Sequence, residues 1–294
     1  MTLAQVARKD FEDAVRSRMV WGVVGVFVGF TAFVMLAAMG TTDGGGATGD
    51  AALALTAQLS QLFVPLVGLI VGYMAIVGER RSGSLRVLLS YPHSRRDVVF
   101  GKLVGRSAVI AVALGIGSAA SVLLAAVLVE LPASRDVVGM VASLVLFGVS
   151  FTGLAVGLSA SVRRRGTAMA AAIGSMLVFL LVWNAAAAGV HVVVTGSSPG
   201  VQAEAWYFLL KRLNPVGAFN ALAETSLDGR LSHLFQMGLE DIPADATPEE
   251  LELSNRVEGP LPWYLTNWFA GLTLVAWGLV PTVVGYVRFV RSDV

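Results

Sequence analysis

Few side chains in this sequence are placed to do covalent chemistry. Gly157-Leu158-Ser159-Ala160 sets a serine among small neighbours, and a hydrolase built on it needs a histidine beside the hydroxyl. Ser159 lies at one end of an apolar run, and His191 lies at the far end of the next. About 25 helical residues, roughly 38 Å at 1.5 Å per residue, separate His191 from the level of Ser159, so the pair does not meet. His93, His191 and His233 fall in different connections or run ends, and the methionines are scattered, so neither a zinc cluster nor a copper conduit is expected. Cysteine is absent, which excludes a thiolate site, a disulfide framework and a cysteine nucleophile. Gly78 and Gly83 have the spacing of a phosphate-binding loop, but Ser84-Leu85 follows where Lys-Ser/Thr is required. The expectation is no catalytic residue, no metal and no cofactor in this chain. An active process would draw its energy from a partner.

The elements that carry these residues are apolar on a membrane scale. Of 294 residues 55% are hydrophobic and 14% charged, against about a quarter charged in a soluble domain, and mean hydropathy is +0.73. The apolar residues form uncharged blocks near 20–39, 59–78, 107–130, 137–161, 166–195 and 264–287. Each is long enough to cross a hydrocarbon core, which takes about 20 residues as a helix. No block has a charge in its central part, and alternating ten-residue strands are absent. Lipid satisfies no backbone polar group, so the blocks are read as helices. The predicted fold is an all-α integral membrane protein of six transmembrane helices in a single domain, 1–294. The first block, with five more behind it, is read as a retained helix rather than a cleaved signal.

Charge orients this arrangement. Sixteen of the 21 Lys and Arg fall in alternate connections: the N-terminal segment, 79–106, 162–165 and the C-terminal tail. The positive-inside rule then puts both termini in the cytoplasm; the expected location is the cell membrane of a prokaryote, with the chain multi-pass. Fourteen of the 20 acids lie on the other side, ten of them in 196–263, as a solvated loop or as an adaptation to high salt. The basic inner face comes without aromatic interleaving or a binding motif, so anionic lipid and topology account for it and no nucleic-acid partner is expected.

Between the blocks the pattern changes. In 2–18 Leu3, Val6, Ala7, Phe11, Ala14 and Val15 recur at helical spacing, with Lys9, Asp10, Glu12, Asp13 and Arg16 filling the rest, as in a helix lying in the membrane interface. The loop 196–263 holds two short apolar pieces, Trp206 to Leu210 and Val216 to Leu222, interrupted at Asn214-Pro215; they predict re-entrant or interfacial half-helices. Thr247-Pro248-Glu249-Glu250 reads as a helix start, and Trp263, Tyr264 and Trp268 sit where an aromatic belt would lie. Gly25/Gly29, Gly68/Gly72 and Gly153/Gly157 are pairs that permit close helix approach, by default within one subunit. Asn184, Gln58 and Gln61 are the notable polar side chains of the blocks.

The longest inner connection, 79–106, carries the most information. Ser84 is placed to cap a turn bearing Leu85, Leu88 and Leu89, and Pro92 ends it. Ser94 caps a second helix with Asp97 as its capping acid. The leucines need a cover, either span ends or a partner. The run Glu79, Gly83, Ser84, Leu85, Leu88, Leu89, Ser90, Pro92, Ser94, Arg95, Asp97, Gly101 and Lys102 resembles the cytoplasmic loop between the second and third spans of ABC-transporter permeases of the type-2 exporter class, without departure. The likeness extends to the layout of the whole chain and to Asn214-Pro215.

That resemblance implies a permease subunit of an ATP-driven exporter. It implies that 79–106 is a coupling loop docked into a separate cytoplasmic ATPase, which binds the ATP and magnesium. Glu79, Arg80, Arg81, Gly83, Ser84, Leu85, Leu88, Leu89, Pro92, Ser94 and Arg95 would form the contact. A second permease chain, as a homodimer, would complete the unit in the bilayer. The alternatives from the residues alone are an ion-coupled secondary carrier, which lacks the usual ionisable residue at mid-membrane, and a membrane scaffold or sensor.

Overall fold

The computed structural model describes residues 3–16, 18–40, 49–82, 94–128, 133–227, 239–243, 245–247, 249–257 and 259–291. In chain order the helices are α1 (Leu3–Val15), α2 (Arg18–Gly40), α3 (Gly49–Gly72), α4 (Val77–Ser82), α5 (Arg95–Leu128), α6 (Ser134–Ser161), α7 (Arg165–Leu177), α8 (Trp183–Thr195), α9 (Ala205–Leu213), α10 (Pro215–Ala223), α11 (Leu253–Arg256) and α12 (Asn267–Val290). A π-helical turn, Val178–Val182, joins α7 to α8. Among the described residues the extended pairing amounts to two isolated bridges, Gly200 with Asp241 and Ala203 with Val257.

Five of these stretches are long and apolar enough to cross a membrane: Leu53–Arg80, Arg95–Leu124, Ser134–Ser161, Arg165–Thr195 and Asn267–Val290. They coincide with five of the six expected blocks. The first block falls on α2, whose described apolar stretch is the shorter Val24–Phe33.

α6 is the centre of the bundle, packed against α3, α5, α10 and α12. Its small residues let the neighbours in. A Cβ on Gly153 would collide with the backbone of Gly278, and one on Gly157 with the carbonyl of Pro281; Gly285 likewise meets the Gly157 carbonyl. Gly68 and Gly72 of α3 lie against Phe151, Thr152 and Ala155. Two of the three glycine pairs therefore serve packing within the subunit. A Cβ on Gly25 or Gly29 would meet nothing within 4 Å. The Thr282 hydroxyl lies 2.9 Å from both the Gly153 and Gly278 carbonyls, a polar link between α6 and α12 that uses no charge. Away from α6 the helices present Leu272, Val275, Leu279, Val283 and their like outward, as a lipid-facing surface requires.

One end of the bundle carries Arg80, Arg95, Arg96, Arg163, Arg164, Arg165, Arg288 and Arg291, and is called the basic end here. The other end carries the half-helices and the 239–257 segment, and is called the cap end. Asn214 and Pro215 break α9 from α10 as expected: Asn214 Oδ1 accepts from the Val216 N–H at 3.0 Å, and Pro215 occupies the first helical position. Gly217 lets the elbow fold tightly, since a Cβ there would strike the Lys211 carbonyl.

Candidate coupling site

At the basic end α1 does not present its polar side evenly to solvent. Val6, Ala7, Asp10 and Ala14 are buried against α5, where Gly101 and Gly105 leave no room for a Cβ. The sequence pattern groups Asp10 with the polar residues of α1. It instead shares the face of Val6, Ala7 and Ala14, and that spacing was the available signal.

Burying a carboxylate demands partners, and Asp10 has two. Lys102 Nζ is 3.1 Å from its Oδ1; Arg106 Nη2 donates to Oδ1 at 3.2 Å, and Arg106 Nε lies 2.8 Å from Oδ2. Lys102, 3% exposed, also donates to Glu79 Oε1 at 2.7 Å. One ammonium thus joins α1, α4 and α5 at the two roots of the loop that resembles a coupling loop. Lys102 was legible as part of a motif, but its pairing with Asp10, 92 residues away, was not.

The two flanks of that loop are fixed separately. On the entering side α3 ends at Gly72, a turn intervenes, and α4 begins at Val77. Ser159 Oγ accepts from both the Ile76 and Val77 N–H groups at 3.0 Å each, satisfying two donors at a helix start. The serine weighed as a nucleophile is therefore a capping residue of another helix. On the exit side Asp97 N donates to Ser94 Oγ at 3.1 Å and Ser94 N to Asp97 Oδ2 at 3.2 Å, the expected reciprocal cap of α5. Arg95 Nη1 donates to the Phe289 and Val290 carbonyls at 2.8 and 3.0 Å, at the end of α12. The Arg80 and Arg95 guanidinium carbons lie 4.9 and 5.5 Å from the centre of the buried Phe289 ring.

Of the expected contact residues, Glu79, Arg80 and Arg95 make contacts to other elements of the subunit at the loop's roots, and Ser94, itself exposed, caps α5. Gly83, Ser84, Leu85, Leu88, Leu89 and Pro92 lie outside the described residues, as do the side chain of Arg81, His93 and His233. Arg163, Arg164 and Arg165 are exposed in the turn between α6 and α7, with Arg165 Nη2 3.4 Å from the Tyr73 hydroxyl.

The cap end has its own polar centre, which the sequence did not disclose. Glu240, which the sequence places among many solvated acids, has a side chain only 7% exposed and accepts from the Tyr207 hydroxyl at 2.7 Å, from Arg256 Nη2 at 2.8 Å and from Lys211 Nζ. Burial alone would raise this carboxyl, but Lys211 and Arg256 outweigh it and hold it at about 2. The same burial, reinforced by Glu240, pushes the Tyr207 hydroxyl upward. Arg256 also donates to the Val201 and Gly200 carbonyls and stacks on Phe208, strapping the segment to α9. Thr247 and Glu250 cap each other reciprocally, but the helix start expected at Thr247 yields only a turn, and helix begins at Leu253. His191 is engaged here too, with Nε2 2.8 Å from Glu204 and Nδ1 3.0 Å from the Ser197 carbonyl. It lies at the end of the bundle opposite Ser159.

A sequence profile described as "ABC-2 family transporter protein" matches residues 4–294. The chain belongs to the ABC-2 transporter family. Within it, the chain is similar to the probable ABC transporter permease protein NosY of Stutzerimonas stutzeri, with 29% identity over 251 residues covering 82% of this chain and 88% of that protein. It is similar also to the protein of the same description from Pseudomonas aeruginosa, with 30% identity over 258 residues, 85% of this chain and 91% of that one. This ABC-2 protein is a multi-pass membrane protein and a permease subunit of an ABC transporter, a family role that implies an ATPase partner.

Proposed function

We propose that this chain is the membrane-spanning half of an exporter-class ABC transporter, driven through residues 79–106 by a separate cytoplasmic ATPase. ATP and magnesium are bound and hydrolysed in that partner. α2 serves as the first of six spans, both termini are cytoplasmic, and two permease chains form the working unit in the cell membrane. Leu85, Leu88 and Leu89 enter the ATPase, with Gly83, Ser84 and Pro92 shaping the turn and Arg81 at its rim.

The observation that carries this reading is the bracing of both roots of the loop. A segment that receives a mechanical stroke is useful only if its ends are stiff. Glu79 and Lys102 tie the roots to each other and to α1, while Arg95 ties the exit root to the end of α12. Displacement of the loop is then passed to α1, α5 and α12 together. The exposed Arg163–Arg165 turn next to α4 adds positive charge around the same end, suited to an acidic rim on the ATPase.

The test is co-expression of tagged permease with the ABC ATPase encoded nearest to it, followed by purification in mild detergent. The ATPase is retained by the wild type and lost when Leu85 and Leu88 are both replaced by Asp. Equal retention by the double variant, or no retention by the wild type, contradicts the assignment of the loop.

A further inference from the structure

The membrane stretch Arg165–Thr195 is built in two halves, α7 and α8, around the π turn Val178–Val182. Such turns weaken the helical ladder and mark places where a helix bends or works. Within lipid, a disturbed carbonyl is tolerated only where something donates to it. Asn214, 1% exposed, does so: its Nδ2 donates to the Phe179 carbonyl at 2.8 Å. The other end of the same amide accepts from Val216 N–H and caps α10. A carbonyl only accepts and an N–H only donates, so the two neighbours fix the orientation of the amide.

Further links converge on the same elbow. Trp183, the first residue after the π turn, donates Nε1 to the Leu210 carbonyl at 2.8 Å, and Trp277 of α12 donates to the Leu213 carbonyl at 2.8 Å. Both indoles therefore serve carbonyls at the end of α9, which have no partners within their own helix. At the far end of α8, His191 meets Glu204, the residue before α9. α8 and α9 are thus tied at both ends, and beneath the elbow Phe147 stacks on Phe219 at 4.4 Å while Phe179 packs edge-on to Phe151 and Trp277.

We propose that Asn214 is a positioning residue for transport: it locks the α9–α10 elbow to the π turn, so that α8, the elbow and the cap move as one gate over the aromatic layer, hinged at Val178–Val182. This rests on the transporter reading above, in which the cap end must open.

Asn214→Ser isolates the pin, because a hydroxyl still accepts from Val216 N–H but is too short to reach Phe179. Amide hydrogen exchange is measured on the full chain in lipid nanodiscs, without and with the ATPase and nucleotide. In the permease alone, Asn214→Ser raises exchange at 179–184 at least tenfold and leaves 215–223 within about twofold of wild type. In the complex, the ATPase is still retained, but nucleotide-driven changes in 183–195 and 205–223, which rise together in the wild type, separate. If exchange at 179–184 stays within twofold, or the two segments still respond together, Asn214 is only a helix cap and the proposal fails. Should Asn214→Ser not fold, Trp183→Phe removes the adjacent donor and keeps the ring; it is expected to raise exchange at 210–214 about threefold, and an unchanged profile overturns the proposal. Failure of the transporter reading would appear separately, as wild-type permease that retains no ATPase.

Discussion

Asp10 and Ser159 show how much of this end of the molecule rests on single side chains. Removing the Asp10 carboxylate leaves Lys102 buried beside Glu79 alone, and Arg106 without its partner. Breaking a buried pair from one side costs about 3–5 kcal/mol. Asp10→Ala should therefore lower the midpoint of thermal unfolding in detergent strongly, whereas Glu12→Ala, which removes an exposed pair with Arg8, should leave it unchanged. Ser159→Ala strips the acceptor from the N–H groups of Ile76 and Val77, at about 1–3 kcal/mol for buried donors left unpaired. It should loosen α4 and weaken retention of the ATPase more than it lowers overall stability. Ser94 and Asp97 were legible as a cap because the signal is local, three residues apart. The roles of Asp10, Ser159 and Glu240 were not, because each is defined by partners 16 to 96 residues away.

The elements were read more easily than their contacts. Uncharged blocks of sufficient length placed five of the described membrane stretches, and Asn214-Pro215 placed the elbow, because hydropathy and proline chemistry act within a few residues. The π turn left no such trace: Val178-Phe179-Leu180-Leu181-Val182 is as apolar as its neighbours, and its partner is Asn214. Pattern alone likewise did not separate the glycine pairs. Gly153 and Gly157 face the backbone of α12, while Gly25 and Gly29 meet nothing within 4 Å. Gly157→Ala should consequently displace α12 and reduce the yield of folded protein and its thermal midpoint. Gly25→Ala should match the wild type in the permease alone. Parallel melting curves of the two variants check this, and equal losses would contradict the packing described for α6.

At the scale of the whole molecule, α6 and α12 run between the basic end, which in the proposed function receives the stroke of the ATPase, and the cap end. The cap end carries its own pH signature. The Glu240 carboxyl is held at about 2, below its ordinary 4.5, so its contribution is complete above pH 4.5 and is lost as pH falls from 4.5 toward 2. That contribution is on the order of 3 kcal/mol. Wild type should lose thermal stability across that window more steeply than Glu240→Gln, and identical slopes would contradict the buried cluster with Lys211 and Arg256. The central claim concerns the other end, that the ATPase works on this permease through 79–106. The chain has no cysteine, so a single cysteine at position 85 is unique. The decisive measurement is cross-linking of Leu85→Cys to the ATPase in membranes, with and without nucleotide. The account predicts a permease–ATPase adduct whose yield changes with nucleotide and which is absent when the cysteine is placed at position 247 in the cap. An adduct from position 247, or none from 85 while the ATPase remains bound, would contradict it.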